Sequence, residues 1–385
     1  LAGHKSEKIF DFINTNQNFG LNIKIISEAE PLGTSGSLLA AYKHLAKVFL
    51  VVYGDTMLNI DLERFLKSHK KSSNDITLFV HPNDHPHDSD IVEINKNNNV
   101  IAFHPYPHKS KKYYRNLVNA ALYIVERDVI STEDVNKNII FSDFIKDLFP
   151  KLLQLGANIG AYNSPEYIKD CGTPERLDQS ILDFQNGKIK NSNLRIPQTA
   201  IFIDRDGTLN EEVGHLSDEK QFKLIDDADR AIKLINNSKY KCIVITNQPV
   251  IARGECSFEE LQNIHNKMEA LLGLSSSFID RIYFCPHHPD SGFDNEVTSL
   301  KVTCNCRKPN IKLLELAKEE FNIDFNKSWF IGDRTVDIKT AKNCGIKSIL
   351  VETGAAGKDG KYEIKPDFTK PNILSAVKHI LKEIN

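Results

Sequence analysis

Short apolar blocks rich in β-branched residues alternate along the chain with stretches whose apolar positions return every three or four residues. Between residues 21 and 160 the blocks IKIIS (23–27), VFLVVYGD (48–55) and ITLFV (76–80) read as buried strands, since a continuous apolar run of this length fits a strand covered on both faces. Between them, SLLAAYKHL (37–45) and DLERFLKSHKK (61–71) have helical spacing. This alternation predicts an α/β domain with a mostly parallel sheet. The polar segment QNGKIKNSNLRIPQ (185–198) sustains no period and reads as a linker. The pattern then restarts with AIFIDRDGT (200–208), a helix over 228–236, KCIVITNQ (241–248) and a helix over 258–272. A Cys/His-rich excursion follows, then a helix over 311–321, SWFIGD (328–333), another helix and SILVET (348–353). The expectation is two tandem α/β domains, 1–185 and 199–385, joined by a linker at 186–198.

Length and composition change this picture little. The 385 residues, 41% hydrophobic and 26% charged, suit a globular protein of two or three domains. A formal charge of −2 gives no footprint for nucleic acid or an anionic membrane. No apolar run approaches the roughly 20 residues that span a bilayer. Seven cysteines, three of them within 285–306, suit a reduced compartment and a metal better than a disulfide framework, so a cytoplasmic location is expected. The opening LAGHKSEKIF has neither an initiating Met nor a signal-peptide pattern and reads as though it starts inside a domain.

Chemistry concentrates at predicted strand ends, where open parallel sheets place their ligand sites. Asp204 and Asp206 follow one strand; two carboxylates so spaced can divide the work of attacking phosphorus and of giving and taking a proton. Gly207 and Thr208 let the backbone turn away. A second strand ends in Thr246 and Asn247, whose hydroxyl and amide could hold phosphate oxygens. Arg307 and Lys308 supply cations for a transferring phosphoryl group. A further strand ends in Gly332-Asp333-Arg334 with Asp337 one turn on, the hard oxygens a Mg²⁺ ion requires, and Arg334 as a phosphate ligand. Any one of these could be an ordinary turn; four in this order are not.

DRDGT, ITN, Lys308 and GDRTVD resemble the haloacid-dehalogenase (HAD) superfamily from Thr199 onward. The resemblance implies an aspartyl-phosphate on Asp204, Asp206 as general acid/base, and Mg²⁺ held by Asp204, the Asp206 carbonyl and Asp333.

Cys285-Pro-His287-His288 and Cys304-Asn-Cys306 form two close pairs around a polar loop. Three thiolates and an imidazole satisfy tetrahedral Zn²⁺, and a clip at the base of a loop that ends in Arg307-Lys308 makes physical sense. Free thiols and a disulfide are the alternatives. The family resemblance puts His287 rather than His288 on the zinc. CRKP after such a loop, with DRDGTLN and TNQ…IARG, resembles the heptose bisphosphate phosphatases; the histidinol-phosphate phosphatases share most of the pattern. Arg253 and Arg307 would then touch the substrate beyond the reacting phosphate, although Arg253 could equally be a surface arginine. Pro249-Val250 stands where that family usually has Ser-Gly.

In the first half, Gly33, Thr34, Ser35 and Gly36 precede a helix, so their amides could approach a phosphate. Asp55 ends a strand and Asp170 lies in KDCGTPERL; two such acids could share one Mg²⁺ at a nucleotide. With Asn119 in NAALY, the order of these segments resembles the sugar-1-phosphate nucleotidyltransferases, whose fold is a Rossmann-like GT-A sheet, and HPHDSDIVEI resembles their heptose 1-phosphate guanylyltransferase branch. The family's opening Gly-rich triphosphate loop is absent from this sequence, and Tyr106 stands where its lysine precedes a proline. Transfer by this chain is therefore not expected.

The combined expectation is a bifunctional enzyme of nucleotide-activated heptose synthesis: a Mg²⁺-dependent phosphatase for the 7-phosphate of heptose 1,7-bisphosphate, fused to a transferase half that, when complete, would take GTP or another nucleoside triphosphate. The alternative is a phosphatase for histidinol phosphate or another sugar phosphate, with a non-catalytic binding or oligomerisation module. Association into a homo-oligomer stays open.

Overall fold

The computed structural model describes residues 1–108, 112–131 and 141–383. In the first half the strands are β1 (Val48–Val52), β2 (Thr56–Asn59), β3 (Ile76–His81), β4 (Ile91–Ile94), β5 (Val100–His104), β6 (Val118–Glu126), β7 (Ile159–Asn163) and β8 (Tyr167–Asp170). Six of them form a sheet in the order β5-β4-β6-β3-β7, with β1 also on β6, while β2 and β8 pair separately. The sheet is mixed rather than mostly parallel: β6 runs antiparallel to β1, β3 and β4, β5 is antiparallel to β4, and β3–β7 is parallel. Long-range pairing with β6 reverses the direction that strand–helix alternation alone suggests.

Residues 23–27 are not a strand. Ser27 makes a single bridge to Ala2, and no strand of the six-stranded sheet lies alongside to use the other backbone groups. β1 is half-covered rather than buried on both faces: Val48, Leu50 and Val52 are exposed while Phe49 and Val51 pack inward. By contrast β3 is buried on both sides, Leu78 and Val80 joining one core cluster and Phe79 the other.

In the second half, β9 (Thr199–Ile203), β10 (Tyr240–Asn247), β11 (Arg281–Cys285), β12 (Trp329–Gly332), β13 (Lys347–Val351) and β14 (Phe368–Lys370) form one parallel sheet in the order β11-β10-β9-β12-β13-β14. Successive side chains of β9 enter opposite cores, Ile201 and Ile203 on one face, Ala200 and Phe202 on the other, as the two-residue period of a strand requires.

The polar segment expected to be a linker is instead packed. It contains a short helix, Lys188–Asn191, and buries Ile189 and Leu194. The Gln198 side chain, 3% exposed, donates to the carbonyls of Asn191, Asn193 and Ile196. Its lack of period reflects satisfaction of backbone groups by side chains, which no periodicity reveals. No helix among the described residues is long and apolar enough to cross a membrane.

Candidate active site and metal centre

The parallel order β10-β9-β12 brings three strand ends together. Asp204 follows β9, Thr246 and Asn247 close β10, and Asp333 follows β12. Asp204, Asp333 and Asp337 each offer a carboxylate oxygen within 4.8 Å of the others. Lys308 lies among them, its Nζ 2.7 Å from Asp204 Oδ1 and 2.6 Å from Asp337 Oδ1, and both ion pairs are almost wholly buried. Three carboxylates thus face one ammonium. Burial, then Asp337, pushes the Asp204 pKa up to about 7 against the opposing pull of Lys308. Burial, with Asp204 and Asp337, pushes Asp333 up to about 8. Burial works against the Lys308 ammonium, but Asp204 and Asp337 outweigh it and raise its pKa.

Asp333 Oδ1 is buried without a hydrogen-bond partner, while Oδ2 accepts from Ala355 N at 2.7 Å. Two glycines make room for that carboxylate. A Cβ on Gly207 (φ +79) would lie 2.4 Å from Asp333 Oδ2, and one on Gly354 (φ +55) 2.3 Å from it. An orphaned buried oxygen among hard, charge-rich donors fits a small divalent cation. Asp337 thus enters the cluster beside Asp204 and Asp333, whereas the Asp206 side chain turns elsewhere.

Asp206 is gripped by its neighbour. Arg205, wholly buried, donates to both carboxylate oxygens at 2.9 Å. Gln248 Nε2 reaches Oδ2 at 2.8 Å and Asn210 Nδ2 reaches Oδ1 at 3.0 Å. Burial would raise the Asp206 pKa, but the Arg205 charge and these donors hold it below the ordinary carboxylate value. Arg205 and Gln248 were not singled out in the sequence; an arginine inside an apolar strand-end motif was the available signal. Thr246 is buried, with its Oγ1 accepting from Gln248 Nε2 at 2.7 Å. The Asn247 amide is engaged with the lysine backbone through its carbonyl oxygen and one of its two N–H donors. Its Oδ1 accepts from Lys308 N at 2.9 Å and its Nδ2 donates to Lys308 O at 3.2 Å, fixing the lysine backbone.

At the rim, Arg334 donates to Glu212 Oε2 at 2.6 Å. Arg253 reaches His215 at 2.6 Å and His288 at 3.3 Å and lies 4.7 Å from the Phe293 ring centroid. Arg307 Nη1 donates to the His287 carbonyl at 3.2 Å.

Cys285, His287, Cys304 and Cys306 converge, all four donor atoms within 4.8 Å of one another. The sulfur–sulfur separations of 3.2, 3.3 and 3.5 Å are far longer than the roughly 2.05 Å of a disulfide. They approach the spacing of sulfurs about 2.3 Å from a shared tetrahedral centre. His288 is outside the group, turned toward Arg253.

In the first half, antiparallel pairing of β2 with β8 sets Asp55 beside Asp170. A Cβ on Gly172 would meet Asp170 Oδ1 at 2.9 Å and Asp55 Oδ2 at 3.4 Å. Both acids and Asn119 line a cavity of about 830 Å³, and Arg176 pairs with Asp170 there. The glycine loop is a correction. Gly33 opens the helix Gly33–Ala40, and the amides of Ser35 and Gly36 already donate to Ser142 O at 3.0 and 3.3 Å. Thr34 Oγ1 donates to Asp143. Gly33, Thr34 and Gly36 are not among the residues lining the cavity, and Ser142 of a distant segment packs over the loop. A Cβ on Gly33 would lie 2.5 Å from that carbonyl, so close packing accounts for the glycine.

Comparison with known proteins accords with this division. Residues 1–186 match the nucleotidyl transferase family and residues 305–376 the HAD-hydrolase-like family. A D-glycero-D-manno-heptose-1,7-bisphosphate 7-phosphatase of Chlorobaculum tepidum is 32% identical over 188 residues, 46% of this chain and 91% of that protein. The D-glycero-beta-D-manno-heptose-1,7-bisphosphate 7-phosphatase of Yersinia pestis is 38% identical over 157 residues, 40% of this chain and 81% of its own length. Among solved structures, the D,D-heptose 1.7-bisphosphate phosphatase from B. bronchiseptica, complexed with magnesium and phosphate, is 25% identical with a TM-score of 0.42, covering 48% of this chain and 99% of that one. HddC from Yersinia pseudotuberculosis, complexed with GMP-PN, is 23% identical with a TM-score of 0.40, covering 47% and 76%. With 32% identity over 188 residues that span 91% of such a phosphatase, and a nucleotidyl transferase domain ahead of that stretch, the chain belongs to the D-glycero-D-manno-heptose-1,7-bisphosphate 7-phosphatase family of HAD-like hydrolases.

Proposed function

We propose that the C-terminal half removes the 7-phosphate of D-glycero-D-manno-heptose 1,7-bisphosphate through an aspartyl-phosphate. The observation that carries this reading is Asp204, buried at a strand end against Lys308 within a group of three carboxylates. Asp204 attacks phosphorus while the leaving sugar oxygen takes a proton from Asp206, which must first take up that proton from solvent or substrate against the pull of Arg205; the ionised Asp206 then accepts a proton from the water that opens the aspartyl-phosphate. Lys308 and Arg334 face the charge on the transferring group, with Thr246 beside it. The Asp204 and Asp333 side chains and the Asp206 carbonyl would hold Mg²⁺, with Asp337 anchoring Lys308. The ion would supply positive charge against the phosphoryl oxygens. Cys285, His287, Cys304 and Cys306 would hold a structural Zn²⁺ that fixes the loop leading to Arg307 and Lys308, and Arg253 and Arg307 would meet the sugar side of the substrate.

The N-terminal half, in this reading, binds a sugar 1-phosphate and a nucleoside triphosphate in the cavity around Asp55, Asn119 and Asp170, the two acids sharing a Mg²⁺. The pairing of the two activities is chemically coherent, since the product of the first is the sugar 1-phosphate the second consumes. The test is phosphate release from both heptose 1,7-bisphosphate anomers, histidinol phosphate and simple hexose phosphates, with and without Mg²⁺. One heptose anomer should be turned over fastest; a preference for histidinol phosphate would overturn the substrate assignment.

A further inference from the structure

Arg205 lies between the two catalytic aspartates in sequence, yet the proposed chemistry does not use it. It is the largest of the fully buried side chains. A guanidinium leaves water without heavy cost only where its donors are met. Here Nε reaches Asp206 Oδ1 at 3.1 Å, Nη2 reaches both Asp206 oxygens and Gln248 Oε1 at 2.9 Å, and Nη1 lies 3.1 Å from His265 Nε2. The guanidinium only donates, so His265 accepts through Nε2. The planar fork fixes the Asp206 carboxylate in orientation as well as position.

His265 is 3% exposed and sits on the helix Phe258–Leu274. Residues four apart share a helix face, and the next turn of this one is bound to the N-terminal half. Glu269 Oε2 accepts from Asn116 N at 2.9 Å, Asn266 Nδ2 donates to Tyr113 O at 3.2 Å, and Gly273 packs on Pro86. Asn116 is in turn clamped to Asn83 by hydrogen bonds of 3.1 and 2.7 Å.

We propose that Arg205 is a positioning residue that aims Asp206, that His265 holds Arg205 in place, and that the N-terminal half steadies the helix carrying His265 through Glu269. The inference rests on the reading of Asp206 as general acid/base. The N-terminal half thereby acquires a mechanical part in phosphate removal, separate from any chemistry of its own.

The experiment compares two substrates on the full chain: an alkyl phosphate, whose leaving oxygen needs a proton, and p-nitrophenyl phosphate, whose leaving oxygen does not. Asp206→Asn is the reference and should cost the alkyl substrate about 10²-fold or more in kcat, with a much smaller loss on the aryl one. Equal losses there would sink the acid/base reading itself. With that pattern in hand, Arg205→Lys should reproduce it, losing about tenfold or more on the alkyl substrate with KM little changed, because one point charge cannot replace the fork. Added guanidinium should restore part of the alkyl rate in Arg205→Ala. His265→Phe should show the same leaving-group selectivity, His265→Gln, which keeps an acceptor, should not, and Glu269→Ala should show a weaker version. Equal loss on both substrates in Arg205→Lys and His265→Phe, or none, would overturn the positioning role. An unselective or absent effect in Glu269→Ala would overturn the part assigned to the N-terminal half.

Discussion

Asp204 and Asp333 are costly residues to keep ionised. With folded pKa values of about 7 and about 8 against an ordinary 3.8, both retain protons that the unfolded chain releases. The stability tied to those protons is greatest below the unfolded value and is lost as pH rises toward 7 and 8. A divalent cation substitutes for the protons, so added Mg²⁺ should raise the Tm more at pH 8 than at pH 6, an effect that Asp333→Asn should remove. Equal Mg²⁺ gains at the two pH values would argue against these carboxylates as the site. Asp204→Asn should abolish phosphatase turnover with an unchanged circular dichroism spectrum, since an amide cannot attack phosphorus; retention of more than about a hundredth of the rate would refute the nucleophile. Gly354→Ala tests the crowding around Asp333. A methyl 2.3 Å from Asp333 Oδ2, at positive φ, must displace the carboxylate, so Mg²⁺-dependent activity should fall at least about tenfold while the chain stays folded.

The helix Phe258–Leu274 illustrates what one element can carry. Its start is fixed by a capping box, Ser257 with Glu260, while its buried face serves both halves of the molecule. Glu269 on that face is pushed up to about 7 by burial, which Arg115 opposes. Its ordinary value is 4.5, so the folded state holds the proton longer than the unfolded one, and stability should decline between about pH 4.5 and 7. The shift corresponds to roughly 3 kcal/mol. Glu269→Gln should flatten that part of the stability profile measured by urea titration; an unchanged slope would show that Glu269 does not bear this cost. The cysteine loop is the second such element. If the cluster holds zinc as proposed, Cys304→Ser with Cys306→Ser should release about one equivalent of it and lose phosphatase activity, because Cys285, His287, Cys304 and Cys306 converge at the base of the loop that leads to Arg307 and Lys308. Normal activity in the metal-free double variant would detach the loop from catalysis.

At the scale of the whole molecule, β10 links the two candidate sites. Tyr240 at its start lines the cavity of the first half, and Asn247 at its end meets Lys308. Eight residues of strand separate them by roughly 23 Å at about 3.3 Å per residue. A small ligand seated at one end of the strand therefore does not reach the other end. Asp55→Asn with Asp170→Asn should weaken binding of GTP with Mg²⁺ at least about tenfold by calorimetry while phosphate release stays within about twofold of wild type. A matching loss of phosphatase rate would show that the two sites are not separate.

The strands and helices of the second half could be read from the chain because its strands are compact apolar runs and its helices keep a helical period: the strand Trp329–Gly332, buried throughout, and the helix Ala228–Asn236 lie where the apolar pattern sets them. Asp204, Asp333 and the Cys/His pairs were visible for a related reason, since polar residues at the end of an apolar run have few structural reasons to be there. Other features depended on partners far along the chain. The direction of β1 and β6 followed from their mutual pairing, the carbonyls of Ile189 and Leu194 in the segment 185–198 were met by the distant side chains of Asn59 and Asn322, and the amides after Gly33 were taken by Ser142. Arg205 is the sharpest case. Its local sequence says only that a cation adjoins two acids, whereas the tertiary structure decides which acid it grips, because the buried guanidinium meets Asp206, Gln248 and His265 among the described residues.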